Sequence, residues 1–365
     1  MEIKNLFKDY ENIPLNSKVI FLGENGHGVN EFQYIKNQII QDLYENYSFK
    51  NLVFESGLAE NTFTNFRKHN FTTKDLLYTS LYEIWHTEEL QKLFEFIKKT
   101  KINIHGIDLQ YQNDYFKNEI NTLLKEYNID FAKEFYEAEE FIDNITLNFK
   151  SKSKIKKNKK ELDLLYNRVI NFINEKQDVL SSTFPKMTLD LIIHSLKNRL
   201  RLIEIQLMNF RNYSYYRDKY MYENLMFLIN NSPKDEKFIV YAHNYHIRKN
   251  NSITKGWLNE KTLGEFYSEE NQDSYHIGFY MYNGYINENS RKQKKVKKHS
   301  VKSLEQTLLG EDKPMVFRNL LLSSNSVFET ELIERESGVD KRRLIPIQQY
   351  DGLIGVKTVN PSKYI

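Results

Sequence analysis

Apolar residues along this chain follow two rhythms. Short unbroken runs at residues 18–22, 51–54, 102–107, 238–242, 275–280 and 353–357 are too brief for helices and read as strands. Between the first two, Phe32, Ile35, Ile39, Ile40 and Leu43 recur at helical spacing within 31–47, so strand, helix and strand follow in βαβ order. Helices are also predicted over 59–68 and over 83–99, where Leu90, Leu93, Phe94 and Ile97 share a face. From residue 115 to 231 strand-like runs vanish and long helical patterns take over. In 189–210, for example, Leu189, Ile192, Ile193, Leu196, Leu200, Ile203 and Leu207 line one side. The pattern predicts an α/β fold with a mostly parallel central sheet flanked by helices. Residues 1–112 and 233–365 form a discontinuous core, and 113–232 form a large all-helical insertion, a lid over the cleft.

Chemistry-bearing residues gather where the predicted strands end. After the first come Gly23-Glu24-Asn25-Gly26-His27-Gly28, after the second Glu55, and after the fourth His243 and His246. Ligands of open α/β sheets bind at the carboxyl ends of parallel strands, so these two carboxylates and three imidazoles are expected at one crevice. The plainer reading of the first turn makes it a glycine-rich strand-to-helix connection in which Glu24 or Asn25 caps the next helix. Two chemistries suit the full set. A carboxylate can orient an imidazole that takes a proton from water while a second histidine stabilises the oxyanion. Alternatively, Glu24, His27, Glu55, His243 and His246 surround a divalent metal that acidifies water. The residue types leave both open.

Composition narrows the field. With 25 Tyr and 24 Phe in 365 residues, any cleft has aromatic walls suited to a bulky, partly apolar small molecule. The balance of 52 basic and 49 acidic residues, a formal charge of +3, argues against a nucleic-acid partner. Basic runs at 150–160 and 291–298 read as solvated loops or helix faces. The absence of cysteine removes disulfides, thiolate metal ligands and cysteine nucleophiles. Residues 1–5 lack a secretion-like apolar run and no stretch of about 18 apolar residues could span a bilayer, so a cytoplasmic protein without a membrane partner is expected. No G-x-S-x-G elbow or H-E-x-x-H pair is present, and the acidic glycine turn is a poor phosphate cradle.

Taken in order, Leu22-Gly23-Glu24-Asn25-Gly26-His27-Gly28 with Glu31, Val53-Phe54-Glu55, Trp85-His86-Thr87-Glu88, Ile107-Asp108, Arg217-Asp218 with Met221 and Asn224, and Ala242-His243-Asn244-Tyr245-His246 resemble the erythromycin esterase family. The later pieces Leu263-Gly264, Ile277-Gly278-Phe279 and Tyr350-Asp351-Gly352 extend the resemblance over nearly the whole chain. It implies an α/β core with a helical insertion, and hydrolysis of a macrolide lactone by water with no required cofactor. It makes His27 the general base, Glu24 and Glu55 active-site glutamates, and His243 a second essential histidine with His246 in support. Where the family carries an arginine on the first helix, the nearest basic residue here is Lys36, a point charge that cannot make a bidentate grip. Trp85 is read as a core or cleft-wall residue that could touch a large ligand. Arg217 is read as an ion-pair partner of Asp218 or a substrate contact, and Asp108 as support for a histidine. His69, His86, His105, His194, His276 and His299 are read as structural or surface residues. The competing functions are a natural-product tailoring enzyme, of transferase or lyase/cyclase type, using the same base on another substrate, and a noncatalytic binding protein.

Overall fold

The computed structural model describes residues 17–146, 152–310, 313–322 and 326–365. The N-terminal residues 1–5 and positions 150–151 of the first basic run lie outside them. Two compact units divide the chain: Met1–Glu55, Glu83–Asn103 and Ser232–Ile365 make the first, Ser56–Tyr82 and Ile104–Asn231 the second.

Ten strands occur among the described residues: β1 (Val19–Leu22), β2 (Phe49–Gly57), β3 (Asn103–Asp108), β4 (Lys237–Tyr241), β5 (Ser274–Asn287), β6 (Gln293–Lys295), β7 (Met315–Asn319), β8 (Leu332–Glu336), β9 (Asp340–Leu344) and β10 (Gly352–Val359). In the first unit the sheet runs in the order β2-β4-β1-β5-β10-β7. All of these pairings are parallel except β10 with β7. The sheet is therefore the mostly parallel, helix-flanked one that the apolar runs predict. All four residues of β1 are fully buried, as expected of a central strand covered on both faces.

Register is what matters for the site. Leu22 stands opposite Tyr241, and Phe54 opposite the same Tyr241. β1 and β4 therefore stop level, with Phe54 of β2 beside them, and β2 runs on through Gly57, so Glu55 stands at the same edge as the residues that follow β1 and β4. Helix Asn30–Tyr47 returns from that edge and buries Phe32, Ile35, Ile39, Ile40 and Leu43. Its N-cap is Val29 with no side-chain cap, so neither Glu24 nor Asn25 is spent on capping.

Three predicted elements differ in detail. Residues 59–63 are turn, α-helix is confined to Thr64–Arg67, and a 3-10 turn begins at Lys68. There Asn61 Nδ2 donates to the carbonyls of Gly57 and Ser80, and Thr62 Oγ1 to that of Leu58, and such bonds compete with a helical ladder. The predicted 83–99 helix starts at Glu88, because the Thr87 hydroxyl caps the Leu90 amide after a short turn at Glu83–Trp85. The 189–210 pattern ends at Ile205, and Asn209 caps a new helix, Phe210–Asn230. The second unit is otherwise helical from Tyr115 to Asn230 among its described residues. Of the basic runs, 152–160 opens the helix Lys152–Glu175, whereas Gln293–Lys295 is strand β6 on the end of β5 rather than a loop or helix. No helix among the described residues is long and apolar enough to cross a membrane.

Gly23, the first residue past β1, is packed against the segment after β4. A Cβ there would fall 2.0 Å from Asn244 Oδ1 and 3.1 Å from the Ile277 carbonyl oxygen. Gly23→Ala is thus expected to cost about 1–3 kcal/mol of overpacking, read as a lower urea midpoint with an unchanged slope.

Candidate active site

The turn after β1 depends on glycine. Gly26 has φ +143°, a conformation that other residues resist, and a Cβ on Gly28 would lie 2.4 Å from the Asn287 carbonyl oxygen. Between these two glycines His27 is thrown back toward Glu24. Its Nδ1 lies 2.7 Å from Glu24 Oε1. A carboxylate can only accept, so Nδ1 carries the proton, and in a neutral ring the lone pair is left on Nε2. The peptide oxygen of His27 accepts from Gln33 Nε2 at 3.0 Å, which fixes the backbone as well.

Glu24 is completely buried and both of its oxygens are engaged. Oε1 also accepts from Trp85 Nε1 at 3.0 Å, and Oε2 accepts from Lys36 Nζ at 2.6 Å. Burial works against a charged carboxyl, but the Lys36 ammonium and the hydrogen bonds from His27 and Lys36 outweigh it and hold Glu24 below its usual range. Burial likewise pushes Lys36 down to about 8, opposed by the charges of Glu24 and Glu55. The ammonium also sits 3.5 Å from the centre of the Tyr241 ring. Lys36 is fully enclosed, and its ammonium is the counter-charge beside Glu24.

The segment after β4 supplies the other half. Glu55, near the carboxyl end of β2, accepts the His243 amide on Oε2 at 2.9 Å and faces His246 Nε2 from Oε1 at 3.0 Å. Asn244 ties this segment to the sheet: its amide donates to the Glu24 carbonyl, and its side chain bonds both backbone groups of Phe279. The His243 ring lies 5.2 Å from that of His27, and Trp85 stands edge-on to His27 at 5.0 Å. The Tyr245 amide donates to His243 Nδ1 at 3.1 Å, which leaves the proton of neutral His243 on Nε2. Burial lowers His243 to about 4 against the pull of Glu336, so it rests neutral and is a hydrogen-bond donor.

The first unit thus gathers Glu24, His27, Lys36, Glu55, Trp85, His243 and His246. Asp108 and Arg217 belong to the second unit and grip each other, Nε to Oδ1 at 3.0 Å and Nη2 to Oδ2 at 2.6 Å. Arg217, expected beside Asp218, is thus paired with Asp108 on another element. Asp108 also accepts from the Leu109 amide and the Tyr82 hydroxyl, which accounts for both of its oxygens. Among the described residues no three His, Asp or Glu side chains are placed to grip a metal ion. Glu24 in particular already holds a lysine, an indole and an imidazole.

Sequence reasoning missed Glu336. The charge-rich strands β8 and β9 pair as an antiparallel hairpin, and Glu336 at the end of β8 brings Oε1 within 3.6 Å of His243 Nδ1. The signal available was alternation, Leu332-Ile333-Glu334-Arg335-Glu336, hidden because so few of its members are apolar. Asn25 fastens the hairpin turn, donating to the Arg335 carbonyl and accepting from the Ser337 amide, each at 2.7 Å. A hollow of about 450 Å³ lined by Lys255, Ile333, Lys341 and Arg343 has neither acid nor imidazole, and the chemistry is not there.

A family model described as Erythromycin esterase matches residues 57–359. A putative hydrolase, YbfO, of Bacillus subtilis (strain 168) is 27% identical over 95% of this chain and 85% of its own length. Erythromycin esterase type II of Escherichia coli is 26% identical over 76% and 72%. Among solved structures, a Bacillus cereus protein superposes with TM-score 0.80 and 18% identity over 100% of this chain and 94% of its own. An erythromycin esterase mutant in its open conformation does so with TM-score 0.67 and 16% identity over 98% and 95%. These structural likenesses carry the fold.

Lys36→Met removes the only ammonium bonded to Glu24 among the described residues and leaves a buried carboxylate short of its counter-charge. It is expected to cost about 3–5 kcal/mol in chemical denaturation, with loss of turnover in any assay of the site. In the unaltered protein turnover is expected to fall with a midpoint near pH 8 as Lys36 deprotonates. This limb is not unfolding: an unfolded lysine holds its proton to higher pH, so the contribution of Lys36 to stability rises across that window. Circular dichroism recorded alongside the rate separates the two.

Proposed function

Because the chain belongs to the erythromycin esterase family, its protein is a hydrolase of ester bonds, and we propose that it hydrolyses a bulky, partly apolar ester by direct attack of water activated at His27. The single observation that carries this reading is the 2.7 Å bond from His27 Nδ1 to a buried, ionised Glu24, which leaves Nε2 as the basic atom. Nε2 takes a proton from water as the water oxygen adds to the ester carbonyl, and Glu24 steadies the imidazolium that forms. His243, its ring 5.2 Å away, offers Nε2–H to the oxyanion. Glu55 has no role in the proton transfer. It holds the His243 backbone and the His246 ring so that the second imidazole faces the first.

Macrolide lactones are the substrate class we favour, supported by the family and by the Escherichia coli relative named for erythromycin. Purified protein mixed with erythromycin is expected to yield a product heavier by one water in mass spectrometry. His27→Ala should lose at least about 100-fold in rate while its melting curve stays cooperative. An unchanged macrolide removes the macrolide assignment. An unchanged rate in His27→Ala removes the mechanism.

The reading needs no metal, because the carboxylate that activates His27 is supplied by the chain. Dialysis against a strong chelator is expected to leave the rate on any ester substrate unchanged. Loss of rate restored by added zinc would contradict it.

A further inference from the structure

Turnover of an ester needs two proton movements, one off the attacking water and one onto the departing alcohol. Glu24 and His27 serve the first. His243 at rest is poorly equipped for the second, since a neutral imidazole that surrendered its Nε2 proton would be left an anion. It becomes a proton donor only when Nδ1 is protonated as well, and an imidazolium enclosed in protein needs a counter-charge at that nitrogen.

One stands there. Glu336 Oε1 lies 3.6 Å from His243 Nδ1, just beyond hydrogen-bond reach, and is buried without a hydrogen-bond partner among the described residues. The other oxygen is tied down: Oε2 accepts from Arg248 Nη2 at 2.7 Å and Arg342 Nε at 2.9 Å. Arg248 also holds Glu334 at 2.8 Å, so β8 is bolted beneath the histidine by ion pairs as well as by Asn25. The remaining charged or titratable groups facing His243 are His27 and His246, which oppose a second proton, and Glu55, whose oxygens are engaged by the His243 amide and by His246.

We propose that Glu336 is a positioning residue that completes a second carboxylate–imidazole pair with His243 and makes His243 the proton donor to the leaving alcohol. A small turn of the ring moves Nδ1–H from the Tyr245 amide toward Oε1. As the acyl C–O bond breaks, the alcohol oxygen takes the Nε2 proton of cationic His243, which returns to neutral. His243 draws its second proton from solvent before the alcohol leaves, and His27 returns to solvent the proton it took from water, so ester and water give acid and alcohol with no net proton change. Glu336 itself stays ionised throughout. Burial opposes its charge, but Arg248, His243 and Arg342 prevail and hold it down to about 2.

This assignment rests on the ester-hydrolase reading, and the test separates the two. Ethyl butyrate has a leaving group that must be protonated, whereas p-nitrophenyl butyrate releases a stable anion. Glu336→Gln is expected to lower kcat/KM on ethyl butyrate by roughly 10–100-fold and on the nitrophenyl ester by less than about threefold. Glu336→Asp keeps the charge but draws it back from Nδ1, so it should show the same selective loss to a smaller degree. It carries the comparison if the glutamine variant does not fold. An equal loss on both esters would make Glu336 merely structural, and an undiminished rate on ethyl butyrate would remove its role; either overturns the proposal while leaving the hydrolase standing. An unaltered protein that cleaves neither these esters nor any bulkier one removes the ester-hydrolase reading and this assignment with it.

Discussion

A single buried negative charge organises the proposed active site. Glu24 is wholly enclosed, and an isolated carboxylate in such a place would surrender its charge by taking up a proton. It keeps the charge because a lysine, an indole and an imidazole all point their donors at it. Each donor is in turn oriented by the arrangement. Lys36 is drawn off the first helix into the interior, Trp85 lies edge-on against His27, and His27 is compelled to spend Nδ1 inward and present Nε2 outward. The proposed chemistry then follows from which nitrogen is left over.

The sheet makes that arrangement inexpensive to build. Leu22, Phe54 and Tyr241 stand level on three parallel strands, so the turn with Glu24 and His27, the carboxylate of Glu55 and the segment with His243 lie side by side with no long connection to order. Close packing then removes the slack. Gly23 admits Asn244 against the backbone, Asn244 ties the β4 segment to β5, and Asn25 carries the far hairpin into the same assembly. Neutral side chains do the aligning here, while charged ones adjust proton affinity.

Much of this was legible in the sequence, and the exceptions have physical causes. Buried parallel strands read as continuous apolar runs, so β1, β4 and β10 were plain. Strands β8 and β9 were not, because most of their residues are charged and bury themselves through ion pairs such as Arg248 with Glu334 rather than through apolar area. Helix limits were displaced wherever a side chain captured a backbone group, as at Thr87 and Asn209. Within the site, the gathering of Glu24, His27, Glu55, His243 and His246 followed from strand-end logic. The seclusion of Lys36 did not, since spacing places a residue on a helix face but does not reveal what lies opposite. Asp108 was visible as a strand-end acid, yet its partner, Arg217, lies 109 residues away and nothing local announces it.

The central claim is that Glu24 fixes the tautomer of His27, and nitrogen-15 NMR of the imidazole side chains reads this directly. At neutral pH, with the signals assigned by their loss in a His27 variant, Nδ1 should resonate as a protonated nitrogen and Nε2 as a bare one, and the pattern should invert or average in Glu24→Gln. A His27 that carries its proton on Nε2 in the unaltered protein would have no lone pair to offer water, and the account would be wrong at its root.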